Sequence, residues 1–205
     1  MVAFPADEKY LPARLIGYFR QALQESIGLT AVGRIWRNVG LADALPTAAG
    51  EDLAKSVGFA GFSGLCGSVE HIYGRDGARS ILYRCGRSAF HRLLRSTSAI
   101  VGGDRPQRSS PSPSEHTVQG LGDAMRLLGL ISDMDCRAET DSNRIRFHTS
   151  ACPECVGRQH DGGICHGVAG MFRGALDWVG IDPEFPVVET ECGADRCLFT
   201  VSTAG

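Results

Sequence analysis

The sequence predicts an α+β fold in which a helical N-terminal half packs with an antiparallel sheet of about four strands and its helices. Two textures and the break between them carry that prediction. Up to about residue 95, apolar side chains recur at helical spacing and glycines stand where helices should stop. Beyond the stretch GGDRPQRSSPSPS the order becomes helix, hairpin, helix, hairpin, the pattern of a helix-covered antiparallel sheet. The expected organisation is a helical region over residues 1–104, an exposed linker over 105–116 and a second unit over 117–205.

The elements follow in order. Residues 11–27 place Leu11, Leu15, Tyr18, Phe19, Ala22, Leu23 and Ile27 on one helical stripe, with Pro12 in the first turn and Gly28 at the stop. A second helix over 30–39 carries Ile35, Trp36 and Val39, and Pro46, Thr47 and Gly50 make a loop. Phe62, Leu65, Cys66, Val69 and Ile72 predict a helix over 59–73, and the run YGRDG over 73–77 predicts a tight turn using glycine at positive φ. A further helix over 78–95 carries Ile81, Leu82, Cys85, Phe90, Leu93 and Leu94. After the linker, Leu121, Met125 and Leu128 predict a helix over 118–130. Ile145 and Phe147 alternate with Arg144, Arg146 and His148, which predicts a hairpin of 132–139 with 144–149 across a Thr-Asp-Ser-Asn turn. A helix over 165–179 and a second hairpin, 186–192 with 197–202 across residues 193–196, complete the chain.

Composition excludes several function classes. With 21 Lys and Arg against 23 Asp and Glu in 205 residues, the formal charge of −2 supplies no basic field for nucleic acid. No apolar run approaches the roughly 18 residues of a membrane span. Asp7, Glu8 and Lys9 occupy positions where a secretion signal needs apolar residues, so a cytoplasmic location is expected. The apolar faces of the N-terminal helices, if exposed, are compatible with a homodimer.

Six of the eight cysteines follow residue 135. In a chain with an ample core and no signal peptide expected, clustered cysteines point to metal or redox chemistry rather than a disulfide framework. Cys152 and Cys155 form C-P-E-C without the strand–helix context of a thioredoxin motif. Cys165 opens a helix, whose N-terminal N–H groups favour thiolate. Cys192 and Cys197 bracket a four-residue turn and converge at one hairpin end. Such a set suits a soft metal, zinc best, with the fourth ligand among Glu189, Glu191, Cys152, Cys155, His160 and His166. Cys66, Cys85 and Cys136 read as buried small hydrophobes, and His71, His91 and His148 as structural. On the helix after Cys165, Gly167, Gly170, Gly174 and Trp178 share one face, beside an arc containing Met171. Each glycine costs a helix roughly 1 kcal/mol relative to alanine, so this face either packs very close to the sheet or lines a groove that a ligand fills.

The run CHGVAGMFRGALDW followed by ETECGADRCLF resembles the 4-vinyl reductase domain family, whose pattern is a cysteine opening a Gly-rich helix and an acid with two cysteines on a terminal hairpin. The C-P-E-C loop and the stretch YGRDGARSILYRCGRSAF are similar to freestanding prokaryotic members described as hydrocarbon-binding proteins. The resemblance implies a fold shared with ligand-binding domains of nitric-oxide signalling and with vesicle-tethering subunits. It implies a 4-vinyl reductase domain over 117–205 and a zinc held by Cys165, Cys192, Cys197 and Glu189, with Cys152 and Cys155 as alternates. Joint ligation by Glu189 and Cys192 requires a bulge or an early strand end, because these residues face opposite sides of a regular strand.

The expected function is binding of a small apolar ligand, aromatic or hydrocarbon-like, by a sensor or carrier braced by structural zinc, with Gly167, Gly170, Met171, Gly174 and Trp178 lining the pocket. Two alternatives stand beside it. One is a 4-vinyl reductase or pigment-precursor carrier of chlorophyll biosynthesis; the other is a redox protein whose cysteines hold an iron–sulfur cluster. Binding is favoured over catalysis, because no G-x-G-x-x-G follows a predicted strand to supply a hydride cofactor.

Overall fold

A computed structural model describes residues 9–41, 53–97, 113–141, 143–158, 162–182, 184, 186–192 and 196–202, with backbone alone for 113–117. The chain starts with a short strand β1 (Tyr10–Pro12) and helices α1 (Ala13–Ile27) and α2 (Leu29–Asn38). Strand β2 (Lys55–Gly58) and the long helix α3 (Phe59–Ser96) follow. Next come α4 (Pro113–Ile131), the strands β3 (Cys136–Thr140) and β4 (Arg144–Thr149), helix α5 (His166–Val179), and the strands β5 (Val188–Cys192) and β6 (Cys197–Ser202). The expected mixed architecture is present, including one four-stranded antiparallel sheet, in the order β3-β4-β6-β5.

The sheet buries one face. Ile145 and Phe147 of β4 and Phe199 and Val201 of β6 point inward, as the period-2 alternation requires. Helix α5 lies on that face through Phe172, which stacks on Phe147 at 4.6 Å between ring centres and meets Phe199 edge-on at 5.0 Å. On its other side α5 meets α3. The N-terminal helices complete the core; the Phe19 ring of α1 meets Phe62 of α3 edge-on at 5.1 Å. Leu15, Phe19, Leu23, Ile35 and Trp36 are all buried within this one chain. The apolar faces that were to support a homodimer are therefore already covered.

Three details differ from the sequence expectations. The turn at 73–77 is sharper than expected: α3 bends at Gly74, whose φ of 69° only glycine adopts readily, and helix resumes at once on either side. A two-stranded antiparallel sheet, β1 with β2, precedes the helical core. It is fastened to the α4–β3 connection by Asp133, which accepts the Tyr10 N–H at 2.7 Å, pairs with Lys55 at 2.6 Å and donates its own N–H to the Tyr10 carbonyl. Finally, α4 begins at Pro113, four residues inside the stretch expected as linker. The rest of that linker, the loop at 46–50, the centre of the last hairpin turn and His160 lie outside the described residues. Among the described residues, no helix is long and apolar enough to cross a membrane.

Candidate metal centre and adjoining cleft

Strand β4 ends at Thr149 and the chain turns through the C-P-E-C loop. Helix α3 fixes this loop, because the Ser63 hydroxyl donates to the carbonyls of Glu154 at 3.1 Å and Val156 at 2.7 Å. The loop is thereby held against the start of α5. The fully buried Glu154 accepts the N–H groups of Gly167 at 3.2 Å and Val168 at 3.0 Å, two of the donors that a helix start leaves unpaired. Burial pushes its carboxyl up to about 7. Sequence reasoning missed this role, although an acid between two cysteines in the loop that leads to a helix was its visible signal.

Cys165 stands at the N-cap of α5, fully buried. Cys192 and Cys197 are directly paired across β5 and β6. Cys155, counted only as an alternate ligand, sits in the middle: its Sγ is 2.9 Å from that of Cys165, 3.1 Å from Cys197 and 3.4 Å from Cys192. Cys152 lies to one side, 3.4 Å from Cys165. The strand register slips between Glu189 and Glu191, leaving Thr190 as the extra residue of a bulge, so Glu189 and Cys192 reach the same site. The ligand atoms of Cys155, Cys165, Glu189, Cys192 and Cys197 all lie within 4.8 Å of one another. Cys66 and Cys85 are buried in the core, outside this group.

Electrostatics divide the thiols. Burial pushes Cys165 up, and Cys152 to about 11. Hydrogen bonds from neighbouring thiols draw Cys192 and Cys197 down toward thiolate. Glu189 Oε2 accepts the N–H groups of Ile164 at 2.7 Å and Cys165 at 2.9 Å, whereas its Oε1 is buried without a partner. A buried carboxylate oxygen left unpaired beside four sulfurs is the environment a cation would complete.

The glycine face of α5 has a different use from the expected groove. A Cβ on Gly170 would stand 2.0 Å from the Tyr83 carbonyl oxygen of α3, and one on Gly174 2.6 Å from that of Arg87. The partner, Gly86 of α3, would meet the Gly167 carbonyl at 1.9 Å. These glycines let two helix backbones touch, and no ligand-sized space separates them. Met171 and Trp178 are buried in the core. Open space lies beside this contact: a cleft of about 630 Å³ between α3, the first turn of α5 and β5, lined by Tyr83, Ala169, Pro186, Val187, His166 and Glu189, with Arg79, Ser80 and Arg84 on the α3 side. The Tyr83 hydroxyl accepts the Val187 N–H at 3.0 Å and so fixes one wall. His166 is neutral here, lowered to about 4 by burial and by the charge of Arg79.

No family model matches the chain, and no curated protein matches it. Solved structures do. An H-NOX protein from S. oneidensis in the Fe(II)NO ligation state aligns with 95% of this chain and 100% of its own, at 12% identity and a TM-score of 0.60. A Cs H-NOX mutant carrying 4-cyano-L-phenylalanine aligns with 95% and 97%, at 12% identity and a TM-score of 0.61. An oxygen-binding H-NOX domain related to soluble guanylate cyclases gives 95% and 96%, 13% identity and 0.57. The fold is that of the H-NOX domains.

This likeness corrects two expectations. Membership of the 4-vinyl reductase domain family falls, since no model of that family matches and the matching structures are H-NOX domains. With it fall the reductase alternative and the cofactor assignments, zinc and the iron–sulfur cluster alike, because the H-NOX structures are described by haem and its ligands. The described core does not fit a haem either. A porphyrin needs a slot between two apolar walls and an axial ligand. Here α3 and α5 touch backbone to backbone, the sheet side is filled by the stack of Phe147, Phe172 and Phe199, and no histidine is buried among the described residues.

Proposed function

We propose that the chain is a non-enzymatic binding module, a sensor or carrier. It takes a small, largely apolar molecule into the cleft between α3, α5 and β5, beside a thiol-rich site for a soft metal ion. The observation that carries this reading is the double position of Glu189, which lines the cleft and also joins the sulfur cluster. A cleft of about 630 Å³ lies within the range of small-molecule sites, roughly 300–1,000 Å³. Ala169, Pro186, Val187 and Val188 give it an apolar side, and Arg79, Ser80, Tyr83, Arg84, His166 and Glu189 give it polar groups that can orient a ligand. Binding of small molecules is also what the solved H-NOX structures are described as doing.

Cys155, Cys165, Cys192 and Cys197 would supply thiolates to the ion, with the free oxygen of Glu189 as the remaining donor or as an outer acceptor. A bound ion would tie the C-P-E-C loop, the start of α5 and the last hairpin together, and so fix the wall of the cleft that β5 forms. Ligand thiols lose their protons on binding, so the site would load less well as pH falls.

The test uses 2-naphthamide, a neutral apolar probe, titrated by calorimetry into the full chain and into Ser80→Trp. Ser80 is exposed on the cleft lip, so the indole blocks the cleft without entering the core. Saturable one-to-one binding in the parent and its loss in Ser80→Trp is the expected result. Equal binding by both proteins, or by neither, overturns the cleft reading. Elemental analysis of the purified chain and of Cys192→Ser, Cys197→Ser reads the metal site separately.

A further inference from the structure

We infer that the cleft takes an apolar molecule bearing a single carboxylate, held at the α3 lip by Arg79 and Arg84; this rests on the cleft reading above and names its ligand class. Along this side of the molecule the neighbouring arginines have acids. Arg87 holds Asp177 at 2.6 Å, Arg173 holds Asp177 at 3.1 Å and also Asp182, Arg75 reaches Glu70 at 3.9 Å, and Arg158 pairs with the same Glu70. Arg79 and Arg84 both line the cleft, and neither forms an ion pair among the described residues. Arg84 spends only its Nε, on the Ser80 carbonyl one turn back at 3.2 Å.

The pairing breaks at the cleft and resumes beyond it. Opposite these cations stand Pro186, Val187 and Val188, the last 48% exposed although it is a large apolar side chain. Uncovered apolar surface facing unpaired guanidinium groups is complementary to an amphiphilic anion, and a planar carboxylate matches the guanidinium fork. Glu189 lines the same cleft with a carboxylate of its own, so a ligand with one negative charge for the two arginines suits it better than a dianion.

The experiment compares 2-naphthoate with 2-naphthamide, which share the ring system and differ in charge, on the full chain at low ionic strength. The carboxylate should bind about tenfold tighter, the lower range for hydrogen bonds to a charged group at an exposed lip. Arg79→Gln, Arg84→Gln should abolish that preference while leaving amide affinity unchanged. Both side chains are exposed, and a melting curve superimposing on that of the parent certifies the fold. Added salt should narrow the preference in the parent alone. Equal affinity for acid and amide in the parent, or a preference that survives the double substitution, overturns the carboxylate inference and leaves the cleft reading standing. Binding of neither probe overturns both.

Discussion

Replacing Gly170 by alanine adds one methyl group and should nevertheless be among the most damaging single substitutions in the chain. The new Cβ would lie 2.0 Å from the Tyr83 carbonyl oxygen, 2.8 Å from its carbon and 2.9 Å from the Arg87 nitrogen, where ordinary contact begins at 3.4 Å. Helices α3 and α5 must part by about 1.4 Å to admit it. The obstacle is helix backbone, so no rotamer change relieves it. Parting also opens the neighbouring contacts of Gly86 with Gly167 and of Gly174 with Arg87. Overpacking a core costs about 1–3 kcal/mol, and a backbone obstacle belongs at the upper end. Alanine returns up to about 1 kcal/mol of helix propensity. The net loss expected is about 2 kcal/mol, or a fall of roughly 4–8 °C in Tm for a chain of this length. Urea denaturation followed by the fluorescence of Trp36 and Trp178 measures it. Gly122→Ala is the control, because a Cβ there meets nothing within 4 Å in helix α4 and should stabilise by about 0.5–1 kcal/mol. A Gly170→Ala protein as stable as its parent would refute the backbone-contact argument.

Other outcomes are expected from the same geometry. Glu154→Ala leaves the Gly167 and Val168 N–H groups without their buried acceptor and should cost about 1–3 kcal/mol in denaturant titration. Cadmium titration followed by thiolate charge-transfer absorption should give one ion per chain in the parent and in Cys66→Ser, and none in Cys192→Ser, Cys197→Ser. The Lys55 ammonium holds the Asp133 carboxyl below its usual value by hydrogen bonding. Its contribution is therefore present above the unfolded carboxylate pKa of about 4 and is lost as pH falls through the lower folded value. At this exposed site it should amount to less than about 1 kcal/mol, read as a shallower acid limb of the stability curve in Asp133→Asn.

Legibility from sequence followed the range of the physics. The sheet could be read because Ile145 and Phe147 alternate with charged residues, and period-2 burial is a local signal. The break at Gly74 could be read because positive φ is a property of one residue. Strand alternation required either a bulge or an early strand end if Glu189 and Cys192 were to share a site, and the bulge is what occurs. By contrast, β1 and β2 have three and four residues, too few to display a period. The central place of Cys155 depends on a turn that Ser63 fixes from another helix. The glycine face was assigned to the sheet or to a ligand, whereas its partner is a carbonyl of Tyr83, 87 residues earlier in the chain. Phe172, not the glycines, faces the sheet. The family misreading has a related cause: a few cysteines and glycines dominated the resemblance, whereas the H-NOX likeness lies in the path of the whole backbone.

The joint between α3 and α5 also constrains how this sequence can drift. Gly86 abuts the carbonyl of Gly167, Gly170 that of Tyr83, and Gly174 that of Arg87, so each position is policed by main chain that no substitution can remove. A larger residue on one helix cannot be accommodated by a smaller one on the other, since the opposing atoms belong to every amino acid. Descendants that keep this helix crossing must hold glycine at 86, 170 and 174 together, and those that lose one are driven to a wider crossing and should lose the rest. The spacing of small residues is therefore a mark of shared ancestry that outlasts the cysteines, because thiols can be exchanged once the ion they serve is no longer needed.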